Sequence, residues 1–177
     1  MENIDQIINQ AKAQFQNGEY KLAIDGFKAA HKYYLTQEDA LAAAEMANNL
    51  SVAYSQDGQK EKALEIVQGT EETFEQAGDT LKQAMTLGNQ GTALEALKKF
   101  PEAEEAYKRS AELFGDCGEK EYRSTVLKSL SALHIRQGKQ LESIFSMQQS
   151  LESQSQLSLK DRFLKALLKI PFKLLGR

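Results

Sequence analysis

The hydrophobic and polar positions of the chain follow a helical beat. In the stretch GEYKLAIDGFKAA (18–30), small Ala23 is followed four residues on by bulky Phe27 and three further on by small Ala30. That spacing places all three on one face of a helix. The same small–bulky–small set returns as Ala63, Val67 and Thr70, as Ala103, Tyr107 and Ser110, and as Ser143, Met147 and Ser150, each block starting 40 residues after the last. Small residues let a preceding helix approach closely, and the bulky one fills the space between. That preceding helix is legible in LSVAYSQD (50–57), QGTALEAL (90–97) and LSALHIRQ (130–137). Gly18, Gly58 and Gly138 break the chain between the two, because glycine tolerates left-handed turn geometry. Lys98 holds that place in the third block, so its turn must be closed in another way, while Pro101 suits the first turn of the helix that follows. The pattern predicts helices over 3–17, 20–35, 37–57, 60–77, 79–97, 101–115, 118–137 and 140–155, with no alternating strand anywhere.

Four blocks in one register resemble the tetratricopeptide repeat family, with its small–bulky–small second helix and glycine turn, over nearly all of residues 3–155. A period of 40 resembles the long-repeat subclass rather than the roughly 34-residue form. The sequence departs from the family in its first helices, where Ile7, Ala47, Leu87 and Leu127 stand in place of tryptophan, and the family glycine survives only as Gly91, replaced by Ala11, Ser51 and Ser131. The resemblance implies an all-α, right-handed α-solenoid of four antiparallel helix pairs (about 3–36, 37–77, 78–116 and 117–155), and the residues of 156–177 themselves read as a polar linker and a basic amphipathic helix.

The resemblance also implies a concave groove lined by the first helix of each repeat. Carried across by register, one groove position is Asn9, Asn49, Asn89 and Ser129, flanked by Lys12, Phe15, Val52, Thr92 and Arg136. Ile8 and Asn48 fall among the groove positions by the same register. An Asn amide offers an acceptor and donors, matching the C=O and N–H of an extended peptide, so a ladder of them can hold a partner segment of varied sequence. The same amides can instead bridge neighbouring helices. The implied function is a non-enzymatic adaptor that binds a protein or peptide partner.

Chemistry-bearing residues are sparse. There are two histidines, of which His134 falls at a packing position, and one cysteine, Cys117, in a Gly115–Gly118 loop surrounded by acids. No catalytic or metal-ligating constellation is legible, and no cofactor is expected. The net charge of −3, with −8 carried by residues 1–157, argues against nucleic acid as a partner. The polar N-terminus has no secretory pattern, and no apolar run is long enough to span a bilayer, so a cytoplasmic protein is expected.

The last twenty residues reverse the charge, with six basic residues against one acid over 158–177. On a helical wheel of about 100° per residue, Arg162, Lys165, Lys169 and Lys173 fall within an arc of about 80°. Phe163, Leu164, Leu167, Leu168, Ile170, Leu174 and Leu175 cover much of the remainder, with Leu159 and Phe172 at the margins. A cap on the last repeat needs only an apolar stripe about 100° wide. The surplus suits an anionic membrane surface, with peripheral attachment at its inner face. A plain cap, or a helix that docks on the protein itself or on a second copy, are the competing readings.

Overall fold

The computed structural model describes residues 3–175, with side-chain surroundings given as far as Leu168. Lys169, Ile170, Phe172, Lys173, Leu174 and Leu175, assigned above to the contact face of the tail, therefore lie outside the described side chains. The described residues form helices and no strand. They are α1 (Ile4–Gln16), α2 (Tyr20–Thr36), α3 (Ala40–Gln56), α4 (Lys60–Glu65), α5 (Thr70–Gln76), α6 (Thr80–Ala96), α7 (Phe100–Asp116), α8 (Lys120–Arg136), α9 (Gln140–Ser153) and α10 (Leu159–Leu175). The chain divides into two compact units, Met1–Ala106 and Tyr107–Arg177.

One turn recurs from α1 to α9, between all consecutive helices except α4 and α5. Gly18 takes φ 79°, its N–H donates to Phe15 O at 3.0 Å, and the N–H of Glu19 reaches back to Gln14 O at 2.9 Å. These paired bonds satisfy carbonyls that the helix end would leave open. The left-handed residue returns at Glu38, Gly58, Gly78, Lys98, Gly118 and Gly138, each with the same two bonds. The residue after it opens the next helix, and Asp39 and Asp79 also cap that helix by accepting from Ala42 N and Lys82 N, both at 3.0 Å. The third block's turn is thus closed by Lys98 itself, at φ 61°.

The helices differ from expectation in one place. Residues 60–77 make two short helices, not one, parted at 66–69. Gly69 is left-handed at φ 79°, so Glu71 N cannot reach Val67 O. That carbonyl accepts instead from Thr70 N at 3.2 Å, from the Thr70 hydroxyl, and from Gln90 Nε2 at 3.0 Å. The other shifts are of a few residues: α3 and α6 begin at Ala40 and Thr80 after their turns, α7 extends over 100–116 and so contains Gly115, and α9 stops at Ser153.

In the first unit the core is apolar and small-sided: Ala11, Ala23, Phe27, Ala30, Leu50 and Ala63 are buried. The approach of α1 and α2 is close enough that a Cβ on Gly26 would stand 2.8 Å from Ala11 Cβ. Ser51, in the family's glycine position, donates to Ala63 O at 2.8 Å.

The second unit builds the same α8–α9 contact with hydroxyls. Ser131 Oγ donates to Ser143 O at 2.9 Å, Ser150 Oγ donates to Ser124 O at 2.9 Å, and Ser146 Oγ lies 3.2 Å from Nδ1 of the buried His134. Met147 and Thr70 are only half-buried, unlike their counterparts Phe27, Val67 and Tyr107 or Ala30, Ser110 and Ser150.

The turns generate a prediction. A side chain at a left-handed position costs on the order of 1 kcal/mol relative to glycine. Lys98→Gly is therefore expected to raise unfolding stability by about 0.5–1 kcal/mol, and Gly58→Lys to lower it by about as much. Urea titration reads both as shifted midpoints with an unchanged slope.

Candidate peptide-binding surface

Helix α1 presents Asn9 exposed, while α3 and α6 present Asn49 and Asn89 half-buried. None of the three amides takes part in a side-chain hydrogen bond among the described residues. The neighbouring amides behave otherwise. Asn48 Nδ2 donates to the Thr86 hydroxyl at 2.8 Å, which itself donates to Lys82 O at 2.8 Å, tying α3 to α6. Gln90 donates to Val67 O and to the Glu71 carboxylate, tying α6 to the break between α4 and α5. One residue along a helix rotates a side chain by about 100°, enough to part a bridging amide from an outward one.

Asn48, expected in the groove, is therefore a bridge, and its Oδ1 is buried without a partner among the described residues. Ile8, also expected there, is 8% exposed and belongs mainly to the core. The sequence gives a signal for the first of these: Thr86 stands where the preceding repeat has buried Met46, and a hydroxyl at a core position calls for a polar neighbour. Gln90 was not singled out by spacing, because nothing in the pattern announces that the helix it faces is broken.

Two hollows flank the ladder in the first unit. One of about 460 Å3 is lined by Asp5, Asn9, Lys12, Tyr34, Glu45 and Met46, among others. The second, of about 180 Å3, is lined by Lys12, Phe15, Gln16, Phe27, Asn49 and Val52. Lys12 stands at both. The first hollow is polar. The phenol of Tyr34 is pushed up by partial burial and by the charges of Asp5, Asp39 and Glu45, so it remains a hydrogen-bond donor at neutral pH. Glu45 holds Lys82 at 2.9 Å, and that bond raises the lysine above its ordinary value. The second hollow is mostly apolar, with the amides of Gln16 and Asn49 in its lining, a combination suited to a side chain and a peptide group of an extended segment.

Thr92 is exposed on α6 and its hydroxyl donates to Gly88 O at 3.0 Å. In the second unit, Ser129 Oγ lies 3.4 Å from Thr125 O, the intrahelical bond of a lone hydroxyl, and Arg136 is exposed at the end of α8. The serine thus offers no amide to a ligand, and the ladder within the first unit consists of Asn9, Asn49 and Asn89.

Paired antiparallel helices closed by a recurring three-residue turn define an α-hairpin repeat protein. Residues 82–156 match the family model described as Tetratricopeptide repeat, and the described residues fold in a TPR-like arrangement of helical hairpins. Among solved structures, a putative kinesin light chain with nearly identical TPR-like repeats from Podosopora anserina is similar at 16% identity. The match covers 95% of this chain and 87% of that one, with a TM-score of 0.76. BtubC (BKLC) from P. vanneervenii is similar at 18% identity over 93% of this chain and 71% of that one, with a TM-score of 0.74. No curated protein matches the chain. Tetratricopeptide repeats serve as protein-interaction scaffolds, and no group of acidic, histidine and cysteine side chains suited to a metal occurs among the described residues.

The two kinds of amide differ in their expected contribution to folding. Asn48→Ala or Thr86→Val removes a part-buried bond and is expected to cost about 1–2 kcal/mol. Asn49→Ala and Asn89→Ala are expected to stay within about 0.5 kcal/mol of the parent in thermal or urea unfolding.

Proposed function

We propose that the protein is a non-enzymatic adaptor that holds an extended segment of a partner protein along Asn9, Asn49 and Asn89. The observation that carries this reading is the division of labour among adjacent amides. Asn48 and Gln90 are engaged in holding helices together, while the three ladder amides remain uncommitted, Asn9 and Asn49 beside hollows of peptide-side-chain size. An amide that is half-buried and unspent keeps both its donor and acceptor available to a peptide backbone. Phe15 and Val52 supply an apolar seat next to Asn49.

The test is selection of extended peptides from a displayed random library against the full chain. Asn49→Ala and Asn89→Ala together remove two hydrogen bonds of about 0.5–1.5 kcal/mol each, so affinity is expected to fall roughly 5- to 150-fold with the fold intact. Unchanged affinity in that folded double variant would overturn the reading.

The second part of the reading concerns α10, which on this view attaches the adaptor to an anionic membrane surface. No helix among the described residues is long and apolar enough to cross a membrane. Ser158 opens α10 by accepting from Asp161 N at 3.1 Å, and the helix packs against α9. Asp161, Leu164, Lys165 and Leu168 are half-buried, as the face of a cap would be. Leu159, Phe163 and Leu167 are 83%, 71% and 49% exposed, one above another at intervals of four residues. Arg162 lies beside that stripe and is exposed too. An exposed apolar stripe bordered by cations suits an interface in which rings and methyls enter the acyl boundary and the cations meet headgroups.

The expected result is co-sedimentation with vesicles containing anionic lipid, weakened by salt and lost on deletion of residues 159–177. The double variant Phe163→Glu, Leu167→Glu leaves the packed face in place and is expected to abolish binding as well. Equal sedimentation of the parent and this variant would refute attachment through the stripe.

A further inference from the structure

In the second unit a hollow of about 290 Å3 lies between the end of α7, the start of α8 and the end of α9, lined by Phe114, Gly115, Lys120, Arg123, Glu152 and Ser153, among others. Arg123 stands one repeat after buried Gln83 and two repeats after buried Ala43, so a cation occupies an inward-facing position. It is half-buried, and its Nε is shut off from solvent with no hydrogen-bond partner among the described residues. Space for it comes from Gly115, whose missing side chain leaves Arg123 Cζ 3.4 Å from where a Cβ would stand. No ion pair is formed by Arg123 or Lys120 among the described residues.

The nearby acids do not neutralise them. Glu121 is bound by the N–H and hydroxyl of Ser155 at 3.2 and 2.8 Å, which hold its carboxyl below the usual range. Glu152 accepts from Gln148 Nε2 at 3.1 Å. Glu119 opens α8 without a side-chain cap, leaving the positive end of a 17-residue helix beside the hollow.

We infer that this hollow is a carboxylate-binding site, separate from the asparagine ladder, in which Arg123 and Lys120 grip the two oxygens of the ligand. A partly buried guanidinium is costly without an anion, and its planar fork matches a carboxylate. Charge selects among oxyanions. Among the side chains that line the hollow, Lys120 and Arg123 carry two positive charges and Glu152 one negative, a balance of one positive charge facing the ligand. A carboxylate balances it, whereas a phosphate dianion overshoots and is repelled by Glu152. The carboxylate comes either from an acidic side chain of a partner or from a small free acid.

The test is a titration of the full chain, followed by amide NMR, with acetate, with acetyl-Gly-Glu-Gly-amide and with inorganic phosphate. Saturable shifts at Gly115, Gly118, Lys120 and Ser153 are expected with both carboxylates, at concentrations on the order of millimolar, and at least threefold weaker with phosphate. Tighter binding of the peptide than of acetate identifies a protein side chain as the source, and equal binding a free acid. Arg123→Gln is expected to weaken binding at least tenfold. Exposed Lys120→Gln and Glu152→Gln, which do not threaten the fold, are expected to weaken and to strengthen it about threefold. The proposal is overturned if no saturable shift appears, if phosphate binds as tightly as the carboxylates, or if Lys120→Gln and Glu152→Gln leave affinity unchanged.

Discussion

A left-handed residue every twenty positions, from Gly18 to Gly138, sets the cadence on which everything else depends. Its paired bonds end one helix and deliver the next N-cap within three residues, so consecutive helices are forced back against each other. Once the turn length is constant, the register of every helix face is constant too. Residues 40 apart then meet equivalent surroundings, which is why Ala23, Ala63, Ala103 and Ser143 are all buried. The asparagines at 9, 49 and 89 share a face for the same reason. Small buried residues are the counterpart of this constraint: a short turn brings backbones together, and Gly26 against Ala11 marks how far that goes.

The helical hairpins were legible because turn glycines and the small–bulky–small set coincide, and two independent signals at one spacing leave little room for another fold. The closure at Lys98 was legible as a problem and not as a solution, since a lysine at φ 61° is tolerated only when the surrounding bonds insist on it. Glu38 does the same where no glycine pointed to a turn. Gly69 misled, because a single glycine within a helical pattern is common, and what makes it a break is the set of bonds from Thr70 and Gln90 that compensate the interrupted helix.

The candidate surface was legible in part. Register placed Asn49 and Asn89 on an outward face, but it assigned Asn48 to the same surface, and the difference between them is one step of rotation. Which of two adjacent amides is consumed internally depends on what stands opposite, here Thr86, and that is information about pairs of residues that a single-chain pattern does not carry. Arg123 went unnoticed for the same reason: its surroundings are made by Gly115 on another helix. At the tail, the wheel puts Phe163, Leu164, Leu167 and Leu168 on one apolar expanse and Lys165 among the cations, and the division into a half-buried and an exposed face depends on where α9 lies.

The hydroxyl-bound contact between α8 and α9 carries a thermal consequence. Beside Leu127, Leu130, Leu133 and Leu151, these two helices bury Ser124, Ser131, Ser143, Ser146 and Ser150, where the first unit buries mostly alanines. Burying apolar surface gives a large heat-capacity change, whereas polar surface contributes with the opposite sign. Cohesion between these two helices therefore varies less steeply with temperature than that of the alanine-lined hairpins, and it fades less on cooling.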